Sequence, residues 1–487
     1  MIEQLKKQLE VLEFKLYEPS IQTVDETVYA LADGEDRLLV VWGSHASDAF
    51  DALIRTSLDD KPLILCHLNH ENYCLLGHVF PWIRPQSRGS HRYSMGLGDR
   101  LGIATQAHIN LFKDHDVFPI FAQQSIRELT LTSRTINDVI ESAAWSVFAE
   151  GFTKGYGADG DHLKHPHEVE YALESGCSMI TLDCSEYINN HVMSLSNSEL
   201  VELYETLDAT QRLAYEARYL DTSFDLGTTV VTFTKESLMQ SVLIYAKAID
   251  FSHMIYEKQI VGRPIDFEIS IDETDVPTTP ENHFFYGNEL KIRNVIVSTM
   301  APRFCGEFQK GIDYIGDIEQ FAVEYRIHEA IAEYFGYTVS VHSGSDKFSV
   351  FPTVGTVSKR GWHVKTAGTN WLEALRVIAL CEPKLMIEIY DFALENLDKA
   401  KAYYHINATR EMGIALETVS ATNAESLLND DMTRQILHVT YGLILSEKRD
   451  GNAVFKDRIY DVLNTNFAVY QTVLNKHIGK HVSLLGR

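Results

Sequence analysis

The stretch Gly151 to Glu168, GFTKGYGADGDHLKHPHE, gathers Asp159, Asp161, His162, Lys164 and His165 between small residues and a proline that can open a helix. Neutral imidazole and carboxylate are ligands for a borderline divalent cation, and an aspartate beside them can take a proton once its surroundings tune it. One turn of chain thus carries both a metal-ligand candidate and a base candidate. The plainer alternative is a polar loop in which aspartates cap and turn the backbone. Far along the chain, TVSVHSGSDKF places His342 at the end of a β-type run, with Asp346 and Lys347 just beyond. If both histidines end strands of one barrel they face the same mouth, and two imidazoles with an oxygen leave open positions on a metal, as a catalytic ion requires. Either alone is also what an ordinary hydrogen-bonded histidine looks like, since the chain has 20.

A third cluster lies in DFEISIDETDVPTTP, where Glu268, Ser270 and Asp272 alternate with Phe267, Ile269 and Ile271. On a barrel strand one set enters the lumen and the other meets the helices, so the polar set is expected inside. A carboxylate there is costly unless paired, metal-bound or protonated. Glu268 becomes an acid/base or ligand candidate, with Glu273 its runner-up and a buried salt-bridged glutamate the structural alternative. APRFCGEFQKGIDYIGD adds Arg303, Glu307, Gln309 and Lys310, and GWHVKTAGTNW adds His363 and Lys365. Lys164, Arg303, Lys310, Lys347 and Lys365 together can form a local basic pocket, although each singly also reads as a solvated charge. SMGLGDRLGIATQAH carries Gly96, Gly98 and Gly102 in neither dinucleotide nor P-loop spacing, and is read as a tight turn.

These residues need a scaffold that brings distant strand ends together. From Val117 onward, β-type runs alternate with amphipathic helical stretches: Phe118–Ala122, Tyr156–His162, Met179–Asp183, Val230–Phe233, Phe267–Asp272, Asn294–Thr299, Thr338–His342 and Trp362–Thr366. Eight such units over about 250 residues is the order and size of a (β/α)8 TIM barrel, and polar groups at the strand ends favour it over an open doubly wound sheet. The expected organisation is an N-terminal α/β cap over residues 1–110, the barrel over 111–382 and a C-terminal helical extension over 383–487, in which Tyr403, Tyr404 and His405 read as packing aromatics.

Composition narrows the partners. Lys+Arg of 43 against Asp+Glu of 68 gives a net charge of −25, which argues against nucleic acid and anionic membrane and leaves a small molecule held by local cations. Six cysteines without CxxC spacing indicate free thiols, a reducing cytoplasm and no cysteine zinc site. The first 20 residues lack the apolar centre of a signal peptide, and no run reaches transmembrane length.

The segments GYGADGDHLK, ISIDETDVPTTPENHFF, APRFCGEFQKGIDYIGD, VSVHSGSDKFSVFP and HVKTAGTNWLEALR, with SMGLGDRLGIATQAHI before them, resemble the tagaturonate epimerases of bacterial hexuronate catabolism. The likeness runs from Ser94 through Arg376, and the series of motifs is far more specific than any one. It implies a metal-dependent enzyme interconverting D-tagaturonate and D-fructuronate in galacturonate breakdown. It further implies Asp161 as proton acceptor, Glu268 as proton donor, His162 and His342 as metal ligands, and a third ligand in the GEFQKG loop, either Glu307 or Gln309. The donors leave zinc, manganese, iron, cobalt and nickel open. In ketose numbering the inverted carbon 4 is two bonds from the ketone at carbon 2, so its C–H is not acidified. Retro-aldol cleavage of the carbon 3–4 bond, rotation of the aldehyde and re-addition is the route that chemistry favours. A metal-dependent aldolase or isomerase acting on another sugar acid is the alternative, and a metal-free sugar-acid binding protein the rival outside the enzymes.

Overall fold

Runs apolar on both faces require a sheet covered on two sides, and the N-terminal segment builds one. In the computed structural model, which describes residues 2–44, 46, 48–366 and 368–487, strands β1 (Lys15–Val24), β2 (Thr27–Asp33), β3 (Arg37–Trp42), β4 (Ala52–Leu58) and β5 (Lys61–Cys66) form an antiparallel sheet ordered β1-β2-β3-β5-β4. The helix Ile2–Val11 covers one face through Leu5 and Leu9. The other face packs on Leu76 of the helix His70–Val79 and on Trp145 and Phe148 of a barrel helix. The cap is therefore seated on the barrel through a shared core.

The chain then supplies β6 (Ser94–Gly96), β7 (Phe118–Ser125), β8 (Gly157–Leu163) and β9 (Met179–Asp183), a separate hairpin of β10 (Ser223–Asp225) and β11 (Val230–Thr232), and β12 (Asp266–Ile271), β13 (Thr299–Pro302), β14 (Thr338–Val341) and β15 (His363–Lys365). Strands β6 to β9 and β12 to β15 close into one parallel barrel, β15 pairing back onto β6. The eightfold barrel expected from the sequence is present, with one strand exchanged. Val230–Phe233 pairs with Ser223–Asp225 outside the ring, because a run this short reads the same in a hairpin as in a barrel. Its place is taken by Ser94–Gly96, inside the segment assigned above to the cap, so the barrel begins before residue 111. A glycine-containing triplet carries little β signal. The glycine is needed there: a Cβ on Gly96 would stand 2.2 Å from the Gln123 side-chain oxygen on the neighbouring strand. The sixth run also shifts, from Asn294–Thr299 to Thr299–Pro302, leaving Asn294 in a left-handed turn.

Past Glu382 the chain is built of helices, with an irregular stretch over 402–430 broken by short helical turns and a two-residue hairpin, Lys448–Arg449 with Asn452–Ala453. Met386, Ile389, Tyr390, Leu437, Tyr441 and Leu474 share one core with Trp371, Leu375 and Ile378 of the last barrel helix, Thr369–Cys381. Each such aliphatic or aromatic side chain contributes about 1.5–3 kcal/mol on full burial, so the extension is bound to the barrel as firmly as a domain core. All six cysteines are free, and no helix among the described residues is long and apolar enough to cross a membrane.

Candidate active site

Inward alternation along β8 aims Asp159 and Asp161 into the barrel, while Gly160 meets the covering helix, where a Cβ would lie 2.9 Å from Ala172. The alternation then breaks. His162 adopts φ 54°, rare for a residue with a Cβ, and the register with β9 slips between Gly160 and Leu163. A bulge of this kind re-aims one side chain, and here it turns the imidazole toward the mouth, with His162 Nδ1 2.9 Å from Asp161 Oδ1.

His342 follows β14 directly and meets that imidazole, the ring centres 4.8 Å apart. Its Nε2 donates to Glu268 Oε1 at 2.7 Å, and its Nδ1 stands 3.3 Å from Asp272 Oδ1. Ligand atoms of His162, Asp272 and His342 all lie within 4.8 Å of one another, a spacing that small side-chain movements bring onto one ion. The donor set, two imidazoles and a carboxylate, fits a divalent cation, and His342 Nδ1 is buried with only the Asp272 carboxylate beside it, at 3.3 Å. With Nε2 committed to Glu268, Nδ1 is the nitrogen a cation would take on displacing its proton, the arrangement in which a carboxylate orients a metal-binding histidine.

Beneath this group sits Lys365, buried, its Nζ 2.7 Å from Asp161 Oδ1, 2.9 Å from Asp159 Oδ2 and 2.8 Å from Glu268 Oε1, with Thr181 Oγ1 at 2.6 Å. Burial opposes its charge, but the three carboxylates outweigh burial and hold the ammonium pKa well above its usual value. The same attraction overrides burial at Asp161 and Glu268, both held well below the ordinary carboxylate range, Asp161 by Lys365 and His162, Glu268 by Lys365 and His342. Burial lifts Asp159 to about 6, against the pull of Lys365. At His342, burial is overcome chiefly by Asp272, with Glu268 adding to it, and the imidazole is raised to about 10.

These groups open on a cavity of about 500 Å³ at the C-terminal mouth of the barrel. Asp161, His162, His342, Lys164, Lys310 and Lys365 line it, as does Glu273 at its rim. Glu268 lies below the floor, fully buried, its carboxylate accepting from His342, Thr299 and Thr181 and paired with Lys365. Glu307 is exposed and away from the cavity. Gln309 is buried, its amide oxygen accepting from the Asn407 N–H at 3.0 Å and Gln435 Nε2 at 2.8 Å. Among the described residues the carboxylate within 4.8 Å of both imidazoles is Asp272, whereas the structure brings neither Glu307 nor Gln309 of the GEFQKG loop into that group. Asp272 continues, just past β12, the inward alternation that holds Glu268, so the alternation already pointed to it. Lys347 does not reach the cavity; its ammonium donates to the carbonyls of Gln309, Ile312 and Ser345 and ties the loop together. Arg303 does not line it either. Three lining residues had no local motif to announce them: Arg100, from the turn that the Asp99 carboxylate organises by accepting three N–H groups; Arg127, after β7; and His438, from the extension.

A closed parallel barrel with imidazoles, carboxylates and a caged lysine converging at its C-terminal mouth defines a barrel enzyme for a small polar substrate. A family model described as tagaturonate epimerase matches residues 17–485. The tagaturonate/fructuronate epimerase of Thermotoga maritima is 38% identical over 475 residues, 97% of each chain. Crystal structures of the fructuronate-tagaturonate epimerase UxaE from Cohnella laeviribosi, native and glycerol-complexed, superpose with a TM-score of 0.94 at 45% identity, covering 100% of this chain and 99–100% of theirs. The chain belongs to the tagaturonate epimerase family.

Proposed function

We propose that this enzyme interconverts D-tagaturonate and D-fructuronate by inverting carbon 4, using a divalent cation held by His162, Asp272 and His342. The observation that carries the reading is the convergence of two imidazoles and a carboxylate, their ligand atoms within 4.8 Å of one another above a proton-handling cluster, in a chain of this family. When bound, the cation supplies Lewis-acid chemistry, stabilising negative charge that develops on nearby oxygens. Asp161, ionised and lining the cavity, takes the proton of the carbon-4 hydroxyl. The carbon 3–4 bond then breaks, its electrons passing into an enediolate on carbons 1–3 while carbon 4 becomes an aldehyde. The aldehyde turns and re-adds, and its oxygen is reprotonated. The donor role expected of Glu268 is exercised through Lys365, the cavity-lining group that touches both Asp161 and Glu268.

Charge supports an anionic substrate. Five cations and six carboxylates line the cavity, so a divalent cation tips its lining to positive, the sign a sugar acid needs. The free thiols fit a cytoplasmic enzyme of hexuronate catabolism. The test is metal analysis of purified protein and assay on D-tagaturonate with and without chelator. Bound metal and chelator-sensitive epimerisation are expected, with no solvent deuterium at carbon 4 of the product. Deuterium there would replace cleavage with deprotonation at carbon, and full activity without metal would remove the cation.

A further inference from the structure

The cavity's five cations are not equivalent. Lys365 is caged by three carboxylates, Arg100 is bound by Glu128 through contacts of 2.9 and 2.7 Å, and Lys164 lies 3.5 Å from Asp183. Lys310 and Arg127 have no carboxylate partner among the described residues. The half-buried Lys310 ammonium donates to Ser343 Oγ at 2.9 Å. Arg127 is oriented by the extension, donating to the Tyr403 carbonyl at 3.2 Å with its guanidinium 4.5 Å from the Tyr404 ring centre, and none of this neutralises it. Two cations near one another at a cavity wall, one of them partly withdrawn from water and both without an acid, form a site whose electrostatics are completed by an anion.

We propose that Lys310, with Arg127 beside it, seats the substrate carboxylate and makes this barrel select sugar acids over neutral sugars. The proposal rests on the functional reading above and deepens it. Ser343, the hydroxyl that Lys310 holds, directly follows His342, so a carboxylate seated there is next to the ligand group. In ketose numbering that carboxylate is carbon 6, on the same three-carbon fragment as carbon 4. A clamp at one end of the fragment leaves the aldehyde at the other end free to turn while preventing its escape. Lys310 belongs to the loop that Lys347 ties to the segment after β14 and that Gln309 fixes to the extension.

The test is steady-state kinetics on D-tagaturonate with metal-loaded wild type, Lys310→Met and Lys310→Arg, with calorimetric binding of D-gluconate as a non-reacting six-carbon acid. Loss of one charge-assisted contact raises KM by roughly 10- to 100-fold in Lys310→Met with a smaller change in kcat, weakens gluconate binding in parallel, and is largely reversed in Lys310→Arg. If Lys310→Met does not fold, Arg127→Gln, at an exposed position, gives a smaller rise in the same direction. Unchanged KM and unchanged gluconate affinity in whichever variant folds overturn the proposal, as does a fall in kcat alone. A wild type that leaves tagaturonate untouched would sink the epimerase reading instead, and gluconate binding then reads the carboxylate seat by itself.

Discussion

Two places in this molecule bring two histidines and an aspartate within 4.8 Å of one another: His162, Asp272 and His342 at the barrel mouth, and Asp346, His477 and His481 where the extension meets the loop after β14. By residue type they are the same. By valence they are opposites. In the second group Asp346 is held by Arg434 at 2.9 Å and His477 at 2.5 Å, while both nitrogens of His481 are spent, Nε2 on the Asp346 N–H and Nδ1 on the His477 carbonyl. In the first, all three residues line the cavity, and His342 Nδ1 has only Asp272, a member of the same group, beside it at 3.3 Å. Ligand types in proximity are therefore not enough to propose a metal site; donors not already spent on groups outside the cluster, at a cavity, are what favour the first over the second.

The largest effect breaks the comparison at its base. His342→Ala is expected to remove bound metal and turnover together, measured by metal analysis and epimerase assay, whereas His477→Ala leaves the metal-to-protein ratio unchanged. Next comes Arg434→Met. It strips Asp346 of its buried cation and frees the Gly311 and Leu428 carbonyls, so stability falls by about 3 kcal/mol by denaturant titration, with metal content intact. A metal ratio that drops in this variant would make the second group a site after all.

Glu268→Gln probes the support of the first group. The amide can still accept from His342 but loses the charge that orients it and balances Lys365, and a change of this kind costs roughly 10- to 100-fold in metal affinity or activity. An unchanged metal affinity and unchanged kcat would show that Glu268 is only a packed carboxylate.

The contrast also explains what could be read from residues alone. The barrel was legible because its strands keep a period of two and end in polar groups; Asp161, His162 and His342 were legible because they stand at or beside those ends, and Glu268 because it breaks an apolar strand on its inward face. Ser94–Gly96 was not, since its strand identity comes from neighbours on both sides and not from its own composition. Asp272 continues the inward alternation just past β12, whereas Gln309 of the GEFQKG loop is engaged by Asn407 and Gln435 from the extension, contacts that no local pattern announces. Lys347 and Lys310 look alike in sequence. Only the fold separates a lysine wrapped in three carbonyls from one left facing a cavity.

The smallest effect separates the two groups by pH. Burial pushes His481 down to about 3, where His342 is raised to about 10 by its carboxylates. A histidine whose folded pKa lies below its unfolded value near 6.5 binds fewer protons folded than unfolded between those values. Its contribution is therefore flat above pH 6.5 and is lost progressively as pH falls toward 3, by about 2 kcal/mol at pH 5. Replacing His481 with Gln, which can still accept from the Asp346 N–H, should flatten that part of the stability-versus-pH curve between pH 6.5 and 5 in urea titrations. A slope identical to wild type would mean that His481 is not held neutral, and that the second group carries charge much as the first does.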